Sequence, residues 1–344
     1  MAIGAPPSLR IFAIAGFQAA LAVLLAIVAT HFSPWPQLVG YASLGALAAL
    51  FGRFATVERR MRIVMICALL LALGVLLPSL ASWADALPWM MVLVLALVAG
   101  ASTVAVSWWR LGGPGAVIIV FAAGAAYHPV GSGAEVLARV LATLAGGVVA
   151  VLTCLVTDRW RAAELKTLRL PPAHVPPWSH QWIAAARITA CAALAAWLAF
   201  MLGWHHPAWA AIGAVSVMQG GHLHITMNRA LQRMAGTIVG SFIVWAMLAQ
   251  QPSFWVVVAA IVVFQFLTEV VIGYNYVLGQ ITVTPMALLM TYLASPNVAA
   301  SMPVERVLDT MLGAVLGIAF AVAFSSLDDR GHLHEHRSKK PAGR

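Results

Sequence analysis

The chain has 344 residues, of which 62% are apolar and only 9% are charged, whereas about 25% of residues are charged in a typical soluble domain. A soluble fold of this size cannot cover so much apolar surface, which excludes an ordinary soluble enzyme, a disordered protein and a fibrous repeat. We therefore expect an all-α polytopic membrane protein, because helices satisfy their backbone hydrogen bonds inside the bilayer.

Twelve apolar stretches come near the length of about 20 residues that a membrane-spanning helix needs. They lie at residues 11–32, 36–52, 62–82, 86–108, 113–128, 139–157, 182–203, 207–221, 233–250, 254–273, 276–295 and 306–326. A polar, proline-containing linker at 158–181 divides them into two halves, 1–157 and 182–326, and a polar tail follows at 327–344. The sequence thus predicts about twelve spans in a six-plus-six arrangement.

The basic residues predict the orientation of these spans. With the N-terminus in the cytoplasm, all but two of the 20 Lys and Arg residues fall on the cytoplasmic side, and the exceptions are Arg139 and Arg306. The positive-inside rule produces such a distribution, so both termini are predicted to be cytoplasmic. The net charge of +9 then reflects topology, and no compact basic domain points to nucleic acid. The three cysteines fit no metal spacing.

One motif, Arg-x-x-x-Thr-x-x-Gly, occurs three times. Its members are Arg139, Thr143 and Gly146; Arg233, Thr237 and Gly240; and Arg306, Thr310 and Gly313. The first and last copies are 167 residues apart and open the sixth and twelfth spans. Six spans per repeat predict two parallel repeats, with a pathway or site at their interface.

The three motif arginines are predicted to stand at helix starts, where a cation opposes the helix dipole. Three such placements favour an anionic substrate or a structural carboxylate partner. Snorkelling of interfacial arginines towards water is the alternative interpretation.

Ionisable and polar groups at membrane depth are candidate functional residues. Glu269 and Asp309 are candidates for proton coupling, with a local Arg306–Asp309 ion pair as the alternative for Asp309. Tyr276 and Thr284 belong to the most polar stretch around a span.

The second half contains HPAWAAIGAVSVMQGG, NRALQRMAGTIVGS, YNYVLGQITVTPMALL and RVLDTMLGAVLG. These segments resemble the fusaric acid resistance (FUSC-like) and aromatic acid exporter family over about 183–325, and more distantly the plant aluminium-activated malate transporters. The motif residues carried over are Pro207, Trp209, Gln219, Arg233, Gly236, Thr237, Gly240, Tyr276, Thr284, Pro285, Arg306, Asp309, Thr310 and Gly313. Over 11–157 the resemblance is weak and includes Arg139, Thr143 and Gly146.

The resemblance implies proton-driven export of an organic, often aromatic, carboxylate across the bacterial inner membrane. Together with the residue patterns it predicts a substrate site formed by Arg139, Gln219, Arg233, Tyr276, Thr284 and Arg306, and proton coupling by Glu269 and Asp309. We expect no enzyme activity, no cofactor and no metal, and the chain has no P-loop for ATP. The expected partners are a small organic anion and the lipid bilayer, with a homo-oligomer and a periplasmic adaptor left open.

Three other functions are compatible with the sequence. An anion channel shares the Arg motif, and a major-facilitator transporter shares the six-plus-six arrangement. A membrane scaffold without transport is the third alternative.

Overall fold

The computed structural model describes residues 9–165, 177–219, 223–294 and 301–324, and these ranges are helical with short connections. The helices are α1 Leu9–His31, α2 Val39–Ala46, α3 Val57–Trp83, α4 Pro88–Trp108, α5 Ala116–Ala125, α6 Gly133–Leu165, α7 Trp178–Met201, α8 Pro207–Met218, α9 Leu223–Leu248, α10 Phe254–Val271, α11 Tyr276–Ala294 and α12 Met302–Ala323. Each predicted span coincides with one of these helices. The tail and residues 166–176 of the predicted linker lie outside the described residues, whereas residues 158–165 belong to α6.

Nine helices within the described ranges are long and apolar enough to cross a membrane. The other three, α2, α5 and α8, are short apolar helices, and the 12 residues of α8 rise only about 18 Å. The protein is therefore a multi-pass helical membrane protein. Whether the three short helices also cross stays a prediction.

The short helices lie at the centre of the molecule. Every residue of α2 is buried, as are Pro207–Val217 of α8 and Thr284–Thr291 of α11. By contrast, α3, α4, α6 and α9 present exposed leucines and other large apolar side chains along their lengths, as lipid-facing helices do. The apolar composition is thus divided between a packed centre and a lipid-facing surface.

The prediction that the motif arginines stand at helix starts is wrong. Helix α6 begins at Gly133, α9 at Leu223 and α12 at Met302, so Arg139, Arg233 and Arg306 lie inside their helices. The apolar stretches did not include these first turns, because residues such as those at 223–232 are in part polar but still helical. These arginines therefore do not stand at the positive end of a helix dipole, and their contacts decide whether they bind an anion.

Helix packing recurs with an offset of six helices. Helix α2 packs on α6 as α8 packs on α12, and α3 packs on α5 and α6 as α9 packs on α11 and α12. Between the halves, α1 contacts α10 as α7 contacts α4, and α2 contacts α11 as α8 contacts α5. The same packing partners thus recur in both halves of the chain.

Glycines allow the closest of these helix crossings. A methyl group added at Gly45 or Gly146 would collide with the backbone of the facing helix, α6 or α2 respectively. A methyl group at Gly313 would likewise strike the backbone of α8, where Gly213 faces it. Both crossings depend on small residues, as close helix packing in membranes generally does.

We predict that Gly313→Val destabilises the protein, because a β-branched side chain cannot fit between α12 and α8 and overpacking costs about 1–3 kcal/mol or more. Met311→Val is the matched control, since Met311 is 42% exposed on the same helix. The measurement is the thermal unfolding midpoint of both variants in one detergent. Equal midpoints for the two variants would contradict the role of this crossing.

Candidate functional site

Buried polar side chains follow helix α9 and the two helices that pack on it, α11 and α12. We call this set the polar seam; its members are Arg233, Thr237, Ser241, Gln280, Thr284, Arg306, Asp309 and Thr310, all of them buried. It contains four of the eight residues predicted to bind substrate or couple protons. The seam thus brings together half of the predicted site residues.

Arg233 joins the helices of the seam. Its Nη1 donates a hydrogen bond to Oε1 of Gln280 on α11, at 3.0 Å. It also lies close enough to Arg306 on α12 for the two positive charges to repel each other. Two guanidinium groups held near each other inside apolar surroundings favour an anion between them.

Most polar atoms of the seam have no hydrogen-bond partner within the described part of the chain. These atoms are Nε of Arg233, the hydroxyls of Thr237, Ser241, Thr284 and Thr310, Nε and Nη1 of Arg306, and both carboxylate oxygens of Asp309. The local Arg306–Asp309 ion pair, the alternative considered from sequence, is therefore not joined by a hydrogen bond. Buried polar groups are almost always satisfied by protein or water, so this concentration calls for an explanation.

The first-half copy of the motif is satisfied by the chain itself. Arg139 donates to the carbonyls of His128 and Pro129, at 3.2 and 2.9 Å, and to the Glu135 carboxylate at 2.6 Å. The Thr143 hydroxyl donates to the Arg139 carbonyl at 2.9 Å. A substrate could reach the Arg139 guanidinium only by displacing these acceptors, whereas two nitrogens of Arg306 have no acceptor among the described residues.

Two other predicted substrate residues contact groups that are not members of the seam. The ring of Tyr276 lies under Arg229, 5.1 Å from its guanidinium carbon. In the amide orientation that satisfies both of its polar atoms, Gln219 accepts hydrogen bonds from the backbone N–H groups of Ala116 and Val117, at 3.1 and 3.3 Å. Gln219 thereby caps the N-terminus of α5.

The remaining motif residues support the packing around the seam. A methyl group at Gly236 would collide with Gln280, and one at Gly240 would crowd Thr284 and Pro285, so α9 and α11 approach closely. Pro207 is the first residue of α8. Trp209 lies beneath Arg306, 5.3 Å from its guanidinium carbon, as Tyr41 lies beneath Arg139.

Glu269 has a partner that the sequence did not reveal. Its carboxylate is paired with Arg53, 216 residues away in the chain. Arg53 lies in the connection between α2 and α3, whereas Glu269 is near the end of α10. The pair ties the two halves together at the predicted cytoplasmic face.

A second buried ionic cluster was also missed. Asp158 accepts hydrogen bonds from Arg60 at 2.7 Å and from Arg161 at 2.7 and 2.8 Å. Arg161 also donates to two backbone carbonyls, and Arg60 donates to Gln18 at 2.6 Å. All four side chains are buried. The only signal in the sequence was a lone acid at the end of an apolar span.

Two histidines and a glutamate meet at the opposite face. The Nδ1 atoms of His205 and His206 lie 2.7 and 2.8 Å from the two oxygens of Glu305. Burial lowers the pKa of His206 below its ordinary value, although the hydrogen bond that His206 donates to the Glu305 carboxylate opposes that shift. His206 also stacks on Trp209 at 4.1 Å. The described residues contain no group of three or more side chains suited to hold a metal ion.

Comparison with known proteins supports the resemblance in the second half. Residues 194–320 match the family model described as "Fusaric acid resistance protein-like". The predicted resemblance is thereby confirmed for that segment, which contains the whole polar seam.

Two curated relatives are similar over part of the chain. An uncharacterized membrane protein, YvaC, of Bacillus subtilis (strain 168) is 31% identical over 121 residues, covering 35% of this chain and 19% of the relative. An uncharacterized protein, ORF2, of Neisseria gonorrhoeae is 37% identical over 98 residues, covering 27% and 22%. The chain thus spans about a fifth of the length of the curated relatives it matches. No solved structure matches.

We predict that Asp158→Asn strongly destabilises the protein, because it removes the carboxylate that two buried guanidinium groups share. Breaking a buried pair in this way costs about 3–5 kcal/mol. Glu58→Gln is the matched control, since Glu58 is exposed in the first turn of α3, the helix that carries Arg60, and exposed ion pairs contribute about 0–1 kcal/mol. Thermal unfolding of both variants tests this, and similar midpoints would contradict it.

Proposed function

We propose that the protein is a bacterial inner-membrane transporter that exports an organic carboxylate, and that the anion passes along the polar seam. The observation that carries this proposal is the concentration of buried polar atoms without partners on α9, α11 and α12. Each such atom costs about 1–3 kcal/mol if nothing satisfies it. A passing anion and its accompanying water would supply the missing hydrogen bonds.

The chemistry of the seam suits a carboxylate. Nε and Nη1 of Arg306 have no acceptor among the described residues, and each can donate a charge-assisted hydrogen bond to a carboxylate. The hydroxyls of Thr310 and Thr237 can donate further hydrogen bonds, and Arg233 adds a second positive charge nearby. The names of the two relatives specify no substrate, so the substrate class rests on this charge and on the family resemblance.

Asp309 offers a route for proton coupling. Its carboxyl group interacts electrostatically with Arg306 one turn away but is not hydrogen-bonded to it. When Arg306 binds an anion, its charge no longer compensates the buried carboxylate, and a buried charge without compensation binds a proton instead. Anion and proton would then cross the membrane together, and a high cytoplasmic concentration of the carboxylate would drive both outwards. Glu269, paired with Arg53, is the second candidate for such a step.

The arrangement we propose is two parallel repeats of six helices with both termini in the cytoplasm. It is supported by the recurrence of helix contacts with an offset of six and by the related glycine crossings. Repeats related in this way are typical of transporters that alternate access by moving one half against the other.

Transport is tested with radiolabelled benzoate in proteoliposomes of the full chain. We expect an imposed proton gradient, with the outside more acidic, to drive benzoate accumulation inside the vesicles beyond that in protein-free vesicles. Flux that dissipates a benzoate gradient but never responds to the proton gradient would favour the anion channel. No flux of benzoate or related carboxylates would favour the scaffold and contradict our proposal.

The repeat-related arginines form a matched pair of variants. We predict that Arg306→Gln lowers benzoate flux about tenfold or more, because the variant loses at least one charge-assisted hydrogen bond to the anion. Its thermal stability should change little. Arg139→Gln should instead lower the unfolding midpoint, because three acceptors lose their donor. If Arg306→Gln transports like the wild type, the seam is not the pathway.

A further inference from the structure

A cavity of about 570 Å³ opens at the predicted cytoplasmic face, outside the polar seam. Its walls are the start of α1, the connection between α2 and α3, the end of α10 and the loop between α4 and α5. Small-molecule sites usually measure about 300–1,000 Å³, so the cavity is of a suitable size. The lining side chains that matter here are Phe12, Arg53, Phe54, Arg59, Arg110 and Glu269.

The cavity lies where the two halves of the chain differ. The first turns of α11, from Tyr276, are helical and pack closely on α9 at Gly236. The corresponding residues of the first half, 109–115, form a loop, in which Arg110 and Gly112 have φ angles of +51° and +80°. This loop lines the cavity. The loop 109–115 of the first half therefore borders an open space, whereas the corresponding first turns of α11 in the second half are closely packed.

Charge and shape in the cavity complement an amphiphilic anion. Three arginines line it against one carboxylate, Glu269. Arg53 is paired with that carboxylate and lies over the Phe12 ring at 4.9 Å. Arg59 and Arg110 are exposed and have no recorded acceptor within the described residues. Phe12 and Phe54, in edge contact at 6.2 Å, provide an apolar wall for the body of a ligand.

We propose that this cavity binds a carboxylate with an apolar body from the cytoplasmic side, and that the ligand carboxylate replaces Glu269 at Arg53. Arg59 and Arg110 attract the anion, and Arg53 receives it by exchanging one carboxylate for another. No covalent bond changes. The pair between Arg53 and Glu269 joins the two halves of the chain, so the exchange would release one contact between them. The site rests on the proposed function only for its role as the first stop in export.

The test is equilibrium binding of radiolabelled benzoate to the full chain in lipid nanodiscs, with uncharged benzyl alcohol as the comparison ligand. We expect Arg59→Gln and Arg110→Gln each to weaken benzoate binding about tenfold and to leave benzyl alcohol binding unchanged. Arg62→Gln is the matched control, because Arg62 is exposed on the same helix as Arg59 and does not line the cavity. If all three variants bind like the wild type, the cavity is not the site.

The exchange itself is tested by Glu269→Gln, which removes the competing carboxylate but keeps the shape of the side chain. We expect benzoate to bind about fivefold tighter or more, because Arg53 is then free to bind the ligand. Unchanged or weaker binding would overturn the exchange. Should this variant fail to fold, competition in the wild type by acetate at constant ionic strength tests whether the cavity recognises the carboxylate group of the ligand. Acetate should displace benzoate at millimolar concentrations, and an absence of competition overturns the proposal.

The binding and flux experiments can refute the cavity site and the transport function independently. Normal cavity binding with no flux would refute transport and leave the site standing. Flux that depends on Arg306 together with binding that is insensitive to Arg59 and Arg110 would refute the site and leave transport standing.

Discussion

A guanidinium group buried among apolar helices is tolerated only where it meets acceptors, and this constraint distinguishes the arginines of the protein. Arg60 and Arg161 share Asp158, and Arg139 is held by two carbonyls and a glutamate. Arg306 has two donor nitrogens without an acceptor in the described part of the chain. The first three have structural partners, and the last is available to a ligand.

The same contrast gives the two halves different roles. Their helix contacts recur with an offset of six, yet the first half satisfies its motif internally while the second leaves it unsatisfied at the polar seam. The first half instead opens a cationic cavity where its counterpart of α11 begins as a loop. We propose that the two related halves thereby provide two different anion sites, one at the predicted cytoplasmic face and one at the polar seam.

The sequence was sufficient to predict the helices and the family resemblance, because apolar runs and local motifs are short-range signals. It misplaced Arg233, which lies well inside α9 because polar residues there are still helical. It could not pair Arg53 with Glu269 or Arg60 with Asp158, since these partners are 216 and 98 residues apart in the chain. Long-range pairing depends on packing, which local patterns do not encode.

The most direct test of the polar seam is whether water and anions reach it at membrane depth. Thr237→Cys and Thr310→Cys, made without the three buried native cysteines, are treated with a membrane-impermeant anionic methanethiosulfonate, with lipid-facing Ile238→Cys as the control. We predict that both seam thiols are labelled, that benzoate slows their labelling, and that the thiol at position 238 stays unlabelled. If the seam thiols react no faster than the lipid-facing control, the seam is a closed core and not a pathway.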